Sequence, residues 1–427
     1  MHQLPLFDAP GNGASLDTFI ERVGETLQIP EGVQTTPCTH GLHRFPGKFI
    51  PNLPRYLIRS FLKHRQEIRI FDPFCGSGTT LVEGALEGRE FMGMDIDPLA
   101  VAIATAKTQP LTEDEIIQLE QHWKQHKYED PSADLIPRVP NLSHWFSDRA
   151  IVQLSSIKSR CLVLPPRLRL FSLIVFSSII RRVSNADDQT QKTYVSHTLP
   201  KTPPLPSGVF PSALRRAVDG MKEYVSLLPK PAVGRVICGD AGNPPPLGPV
   251  DVLTSPPYID SIDYVYNQML EYFWLLPELG LSGYDDYRRF RKVPMGFTAT
   301  AIDGLDHLGE RLLRSTRHAF KAACREIGRR SPKEERAVRF FFNDMAAHCE
   351  AMHRLQKSGA FYLCVVGNSL IRRVTVPTVQ ILVELFQSAG YRVEDRIKYE
   401  IRRHYMKFPR RSNSGIIKQD HILVLRR

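Results

Sequence analysis

Between Ile70 and Asp95 the chain reads as a strand, a glycine bend, a helix and a second strand, with little slack between them. Ile70-Phe71-Asp72 is a short apolar run. Pro73-Phe74-Cys75-Gly76-Ser77-Gly78 is a bend, and Thr79-Thr80-Leu81-Val82-Glu83-Gly84-Ala85-Leu86 carries a helical pattern. Phe91-Met92-Gly93-Met94 then returns as an apolar strand that ends on Asp95. A strand–helix–strand unit of this kind makes a parallel pair and commits the chain to an α/β sheet with helices on its faces. Gly76 and Gly78 let the backbone come close to a ligand where a Cβ would intrude. Asp95, 19 residues after Gly76, stands where an acid can accept hydrogen bonds from ribose hydroxyls. The third glycine of the dinucleotide fingerprint is missing, and no Gly-Lys-Ser/Thr follows. A nucleoside cofactor without a pyrophosphate fits this pattern better than NAD.

A second loop lies far downstream. Val250-Asp251-Val252-Leu253-Thr254 reads as a buried strand and is followed by Ser255-Pro256-Pro257-Tyr258. The prolines fix φ and remove two backbone donors, so the carbonyl oxygens are left to accept. Ser255 adds a side-chain acceptor, and Tyr258 offers a face on which a base can stack. Such a loop suits an exocyclic amine on a flat ring. The plainer reading is a proline-rich turn that closes a strand.

Together these segments resemble the amino-methylating DNA methyltransferases of the Ser-Pro-Pro-Tyr subtype, which methylate cytosine N4 or adenine N6 with S-adenosylmethionine. The Asp72–Thr80 stretch is similar to the family's cofactor loop, which implies Asp72, Phe74, Gly76, Gly78 and Thr79 as cofactor contacts. Asp95 matches its ribose-binding acid, and Ser255, Pro256, Pro257 and Tyr258 match its catalytic tetrapeptide. Thr39-His40-Gly41-Leu42-His43-Arg44-Phe45-Pro46-Gly47-Lys48-Phe49 resembles the segment that folds over the methionine end, which adds His43 and Lys48. Val236-Ile237-Cys238-Gly239-Asp240-Ala241 resembles the strand whose terminal acid, Asp240, bonds the adenine amino group. The resemblance implies a Rossmann-like class I methyltransferase fold, a mostly parallel seven-stranded sheet with an antiparallel C-terminal strand, carrying inserted, mainly helical recognition regions. Serine in first place is commonest among the N4-cytosine members and favours that target. Adenine N6 in DNA, an amine in RNA, and an inactive DNA-binding module stay open as alternatives. Double-stranded DNA is the implied partner, joined by a cognate restriction endonuclease if the role is restriction-modification.

Composition bounds the rest. The net charge of +11 favours a polyanionic partner. Its most telling concentration is Arg396–Arg427, with ten Lys or Arg against Glu400 and Asp420. There Arg402, Arg403, Lys407, Arg410 and Arg411 interleave with His404, Tyr405 and Phe408, as backbone-tracking surfaces do, and are the expected DNA contacts. A second basic run, Arg311–Arg339, looks helical. Arg181-Arg182-Val183-Ser184-Asn185 ends a helix and could read base edges, although basic residues there also suit the helix dipole. Seven scattered cysteines without a Cys-x-x-Cys pair argue against a zinc site and a disulfide framework. The longest apolar stretch, 168–180, is too short and too polar to span a membrane, and no signal peptide is indicated at Met1, so a cytoplasmic protein is expected.

The two loops are well over a hundred residues apart, a span that implies an insertion. The expected organisation is a loose arm (1–37) with a short helix near Leu16–Leu27, then a first catalytic part (38–108) that holds the cofactor. A helical insertion (109–235) follows, a candidate for target recognition, then a second catalytic part (236–276) with the Ser-Pro-Pro-Tyr loop. A second insertion (277–336), a candidate DNA contact, precedes a third catalytic part (337–427) with the basic tail. The whole reading requires both loops to meet across one cleft.

Overall fold

The computed structural model describes residues 20–28, 36–48, 50–124, 128, 132–187, 192–196, 198, 200–259, 263–293, 295, 318–400 and 419–427. The strands are β1 (Glu21–Val23), β2 (Thr26–Gln28), β3 (Arg69–Asp72), β4 (Phe91–Asp95), β5 (Gly234–Cys238), β6 (Val250–Thr254), β7 (Phe361–Gly367), β8 (Ser369–Ile371), β9 (Val374–Val376), β10 (Arg392–Glu400) and β11 (Gln419–Arg426). The helices around them are α1 (Asn52–Phe61), α2 (Thr79–Leu86), α3 (Pro98–Thr108), α4 (Glu113–Lys124), α5 (Leu142–Trp145), α6 (Asp148–Leu162), α7 (Pro166–Val183) and α8 (Pro206–Leu227). After β6 come α9 (Tyr264–Asn267), α10 (Met269–Leu275), α11 (Tyr284–Phe290), α12 (His318–Arg330) and α13 (Pro332–Leu355), and α14 (Thr378–Ala389) follows β9.

Nine strands form one sheet in the order β1-β2-β10-β11-β7-β6-β3-β4-β5, while β8 and β9 pair separately. From β5 across to β7 every pairing is parallel. β11 is antiparallel to both neighbours, β7 and β10. The chain starts at β3, steps outward to β4 and β5, and returns to β6 on the other side of β3. That reversal opens a crevice at the carboxyl ends of the strands, where ligands of doubly wound sheets bind. The expected Rossmann-like methyltransferase sheet is therefore present, with two further strands added at one edge.

Alternation along the strands sends successive side chains to opposite faces. Ile70, Leu253, Leu363 and Ile422 join one buried cluster with α1 residues Leu53 and Leu57. Phe71, Val252, Tyr362 and Leu423 join the other, against Phe341, Phe342 and Met345 of α13. A third cluster runs without a break from Leu81 and Ile103 into Phe171, Phe176, Phe210 and Trp274. The helices of 109–235 thus share a core with α2 and α3. Gly220 of α8 carries this to its limit, since a Cβ there would lie 2.3 Å from the Cys38 carbonyl oxygen.

One local expectation is corrected. The segment expected to hold a short helix near Leu16–Leu27 forms the β1–β2 hairpin over its described part. Thr26 and Leu27 extend the sheet beside Lys398 and Tyr399 of β10, and Leu27 is buried, which an isolated amphipathic turn of helix would not achieve. α8 starts at Pro206, and Pro211 lies inside it. Both prolines suit a helix start, and the earlier one holds it. The aromatic segment after β6 forms two helices, α9 and α10, broken at Gln268. No helix among the described residues is long and apolar enough to cross a membrane.

Candidate active site

The loops that leave β3, β4, β5 and β6 line one cavity of about 370 Å³. Pro73–Ser77 and Thr79, Asp95–Asp97, Gly239–Asn243, and Ser255 with Pro257 face it. Phe45–Lys48, Tyr264, Val293, Met295, Asp344 and Ala347 complete the lining. The two loops that the sequence keeps far apart meet here.

A hydrogen bond between neighbouring strands ties them. Thr254 Oγ1, the last residue of β6, donates to Asp72 Oδ1 at 2.5 Å, and the same oxygen accepts from the Phe74 backbone N–H at 3.1 Å. Burial pushes the Asp72 carboxyl up to about 6. Asp72 is therefore a buried brace behind the cavity and not part of its wall. Gly78 serves as a brace too. It caps α2 with φ 78°, and a Cβ would lie 2.9 Å from that of Ala104, so the αL conformation and the close helix contact both require glycine. Gly76, with φ 49°, faces the cavity under the Phe45 ring.

Asp95 fixes the bend from the other strand. Its Oδ2 accepts from Gly76 N–H at 2.8 Å and its Oδ1 from Asp97 N–H at 3.0 Å. Burial, reinforced by the nearby Asp97 charge, pushes its carboxyl up to about 7. Each oxygen retains a lone pair for a ligand donor. Asp240 lines the cavity on the next loop. Facing it is Asp344 of α13, pushed up to about 6 by burial and by the Asp240 charge.

The remaining expected contacts divide. Phe74, Thr79 and Lys48 line the cavity, and Lys48 Nζ donates to the His40 carbonyl at 3.0 Å. His43 does not line it: Nδ1 meets the Arg44 carbonyl at 2.7 Å and Nε2 the Ser177 hydroxyl at 3.0 Å. Burial lowers its ring to about 4, so it stands as a neutral strut. In the Ser255–Tyr258 loop Ser255 and Pro257 face the cavity; Pro256 is buried and Tyr258 is half-buried, neither lining it, and the Tyr258 hydroxyl donates to Asp420. Arg402, Arg403, Lys407, Arg410 and Arg411 lie outside the described residues. Arg181 is committed elsewhere, donating to Thr193 Oγ1 and to the carbonyls of Asn267, Asp187 and Lys192. Its place at a helix end reflects a loop anchor. In the second basic run Arg329 and Arg330 pair with Glu326, and Arg339 with Glu335.

Several lining residues carry no role in the sequence reading. Asp97 is the N-cap of α3, accepting from Leu99 and Ala100, and Asp-Pro before an apolar helix was its visible signal. Asp344 gives no signal, because only tertiary packing of α13 brings it in. Ser77 Oγ and Asp97 Oδ2 are buried and have no hydrogen-bond partner among the described residues. No group of three or more His, Cys, Asp or Glu among those residues could hold a metal ion.

A doubly wound sheet with an antiparallel strand inserted beside β7, and a cavity at its reversal point, match the expected class I methyltransferase fold. Residues 23–106 match the DNA methylase family N6_N4_Mtase. Over 390 residues the chain is 26% identical to the type II methyltransferase M.MvaI of Kocuria varians, spanning 83% of this chain and 82% of that relative. Over 78 residues it is 44% identical to the type II methyltransferase M.MjaII of Methanocaldococcus jannaschii, spanning 18% of this chain and 14% of the relative. The solved rRNA methyltransferase aviRa from Streptomyces viridochromogenes aligns over 90% of this chain and 88% of its own at 11% identity, with a TM-score of 0.29. The family match and both relatives support an amino-methylating DNA methyltransferase, the family that the motifs resemble.

That family implies S-adenosylmethionine, and the cavity fits such a group. It offers acidic acceptors for hydroxyls and an amine, and a glycine bend whose Cβ-free backbone leaves room. It also presents two buried polar atoms, on Ser77 and Asp97, that await partners.

Proposed function

We propose that the protein methylates the exocyclic N4 amine of cytosine in double-stranded DNA at a specific site, as the modification partner of a cognate restriction endonuclease. The observation that carries the reading is the shared lining. Ser255 and Pro257 face the same cavity as Gly76, Asp95 and Asp240. Serine at position 255, the commonest form among N4-cytosine members, favours cytosine over adenine, and the match of residues 23–106 to a DNA methylase family supports DNA as substrate. Asp95 and Asp97 hold the ribose end, Asp240 with Asp344 the adenine end, and Lys48 and Phe45 the methionine end. When bound, S-adenosylmethionine supplies an electrophilic methyl group.

The chain's own residues do the rest. A target base leaves the duplex at a cost of roughly a few kcal/mol and stacks on Tyr258. Its amine donates to Ser255 Oγ and to the Pro256 carbonyl. Accepting both hydrogens draws the nitrogen toward tetrahedral geometry and frees its lone pair from the ring. Positioning and fixed dipoles supply most of the rate. The nitrogen becomes cationic and acidic on gaining carbon, so its proton leaves without a strong base. Residues 38–48 and the helices behind them exclude water.

Mass spectrometry of nucleosides from DNA of cells expressing the protein tests the target. N4-methyldeoxycytidine is expected. N6-methyldeoxyadenosine in its place would reassign the base, and an unmodified profile in DNA together with label in RNA would reassign the substrate.

A further inference from the structure

Asp420 is a carboxylate only 3% exposed, and phenols hold both of its oxygens. Tyr258 Oη donates to Oδ1 at 2.9 Å and Tyr399 Oη donates to Oδ2 at 2.8 Å. A buried carboxylate carries a large desolvation cost that two neutral donors offset only in part, so packing alone would place an apolar residue here. Strand direction explains how it reaches the catalytic loop. β11 is antiparallel, so its first residues lie at the edge where the parallel strands end, and Asp420 stands opposite Gly367, the last residue of β7. On its other side it stands opposite Tyr399 of β10. The carboxylate is thereby fixed from one side by Tyr399 and holds Tyr258 on the other.

We propose that Asp420 is a positioning residue for methyl transfer, holding the Tyr258 hydroxyl so that the ring stands as a fixed wall for the extruded base. The proposal rests on the reading of Ser255–Tyr258 as the loop that receives the target amine. Pro257 restricts the backbone before Tyr258, and the phenol anchor removes the remaining freedom of its ring. Tyr258 keeps part of its surface exposed while its hydroxyl is engaged, the disposition a stacking platform needs. Tyr399 has no such surface, being 7% exposed, and serves to orient the carboxylate.

The test uses the full chain, unmethylated plasmid DNA and S-adenosylmethionine, and compares Asp420→Asn, Tyr258→Phe, their combination and Tyr399→Phe. Asp420→Asn and Tyr258→Phe should each lower kcat on the order of tenfold, with KM for S-adenosylmethionine unchanged. The double variant should be no slower than the slower single one, because both remove one hydrogen bond. Tyr399→Phe should lower kcat less than either single variant, by about threefold, since the Tyr258 bond survives on a carboxylate that has lost one of its two anchors. A parental kcat for Asp420→Asn, a multiplicative loss in the double variant, or an equal loss with Tyr399→Phe would overturn the proposal. Tyr258→Ala separates it from the reading beneath it. Full activity in Tyr258→Ala removes the base-stacking role itself. An inactive Tyr258→Ala beside a fully active Asp420→Asn removes only the role of Asp420.

Discussion

The two walls of the cleft are built in opposite ways. The wall from β3 and β4 is local: Gly76 and Asp95, 19 residues apart, share a hydrogen bond, and Gly78 locks the helix that follows. The wall from β6 is assembled from distance. Thr254 is tied to Asp72 across 182 residues, and Tyr258 to Asp420 across 162. On the proposed function, the wall that binds cofactor is written into one supersecondary unit, whereas the wall that meets the substrate depends on the completed sheet. Loss of binding and loss of turnover should therefore separate by wall.

The largest expected effect is on the distant wall. Ser255→Ala should lower kcat by roughly 10²-fold, the scale of losing one aligned polar group at a reacting atom, and leave cofactor affinity within about twofold. Titration calorimetry beside single-turnover assays checks this, and an equal fall in both quantities would dissolve the distinction. On the local wall, Asp95→Ala should weaken S-adenosylmethionine binding by about tenfold or more, the scale of charge-assisted hydrogen bonds.

Those same walls differ in how much of them the sequence displays. The β3–β4 unit is legible because its strand, bend, helix and acid are contiguous, and Val250–Thr254 is legible as an uninterrupted buried strand. Asp97 was half visible as an N-cap. Asp344 and Asp420 were silent, since their environment is made by residues distant in sequence. Secondary structure failed for the same reason. Glu21–Gln28 becomes a hairpin because β10 offers an edge, and the turn between β8 and β9 is made by Arg372 and Arg373 at φ 49° and 63°, where turn chemistry would ask for Asn-Gly. Arg372 is held there by Glu334 of α13.

Two smaller effects sharpen the contrast. Asp95 in the free protein keeps its proton to about pH 7, and Asp97 is raised in the same direction by burial. Ribose hydroxyls and a sulfonium both prefer the carboxylate. Affinity for S-adenosylmethionine should therefore be weakest in acid and rise as pH passes through about 7, then level off. Asp95→Asn should flatten that rise in calorimetry across the range. Gly78→Ala should cost about 1–3 kcal/mol, from αL strain and the clash with Ala104, and lower the melting temperature by a few degrees. An unchanged melting temperature would show that the bend can relax.

The central claim is that both walls face one ligand. A crystal structure with S-adenosylhomocysteine bound tests it most directly. The account predicts ribose hydroxyls on Asp95, the adenine amine on Asp240, and the sulfur turned toward Ser255 and Pro257. A nucleoside seated away from Asp95, or a sulfur pointing away from the Ser255 loop, would contradict it.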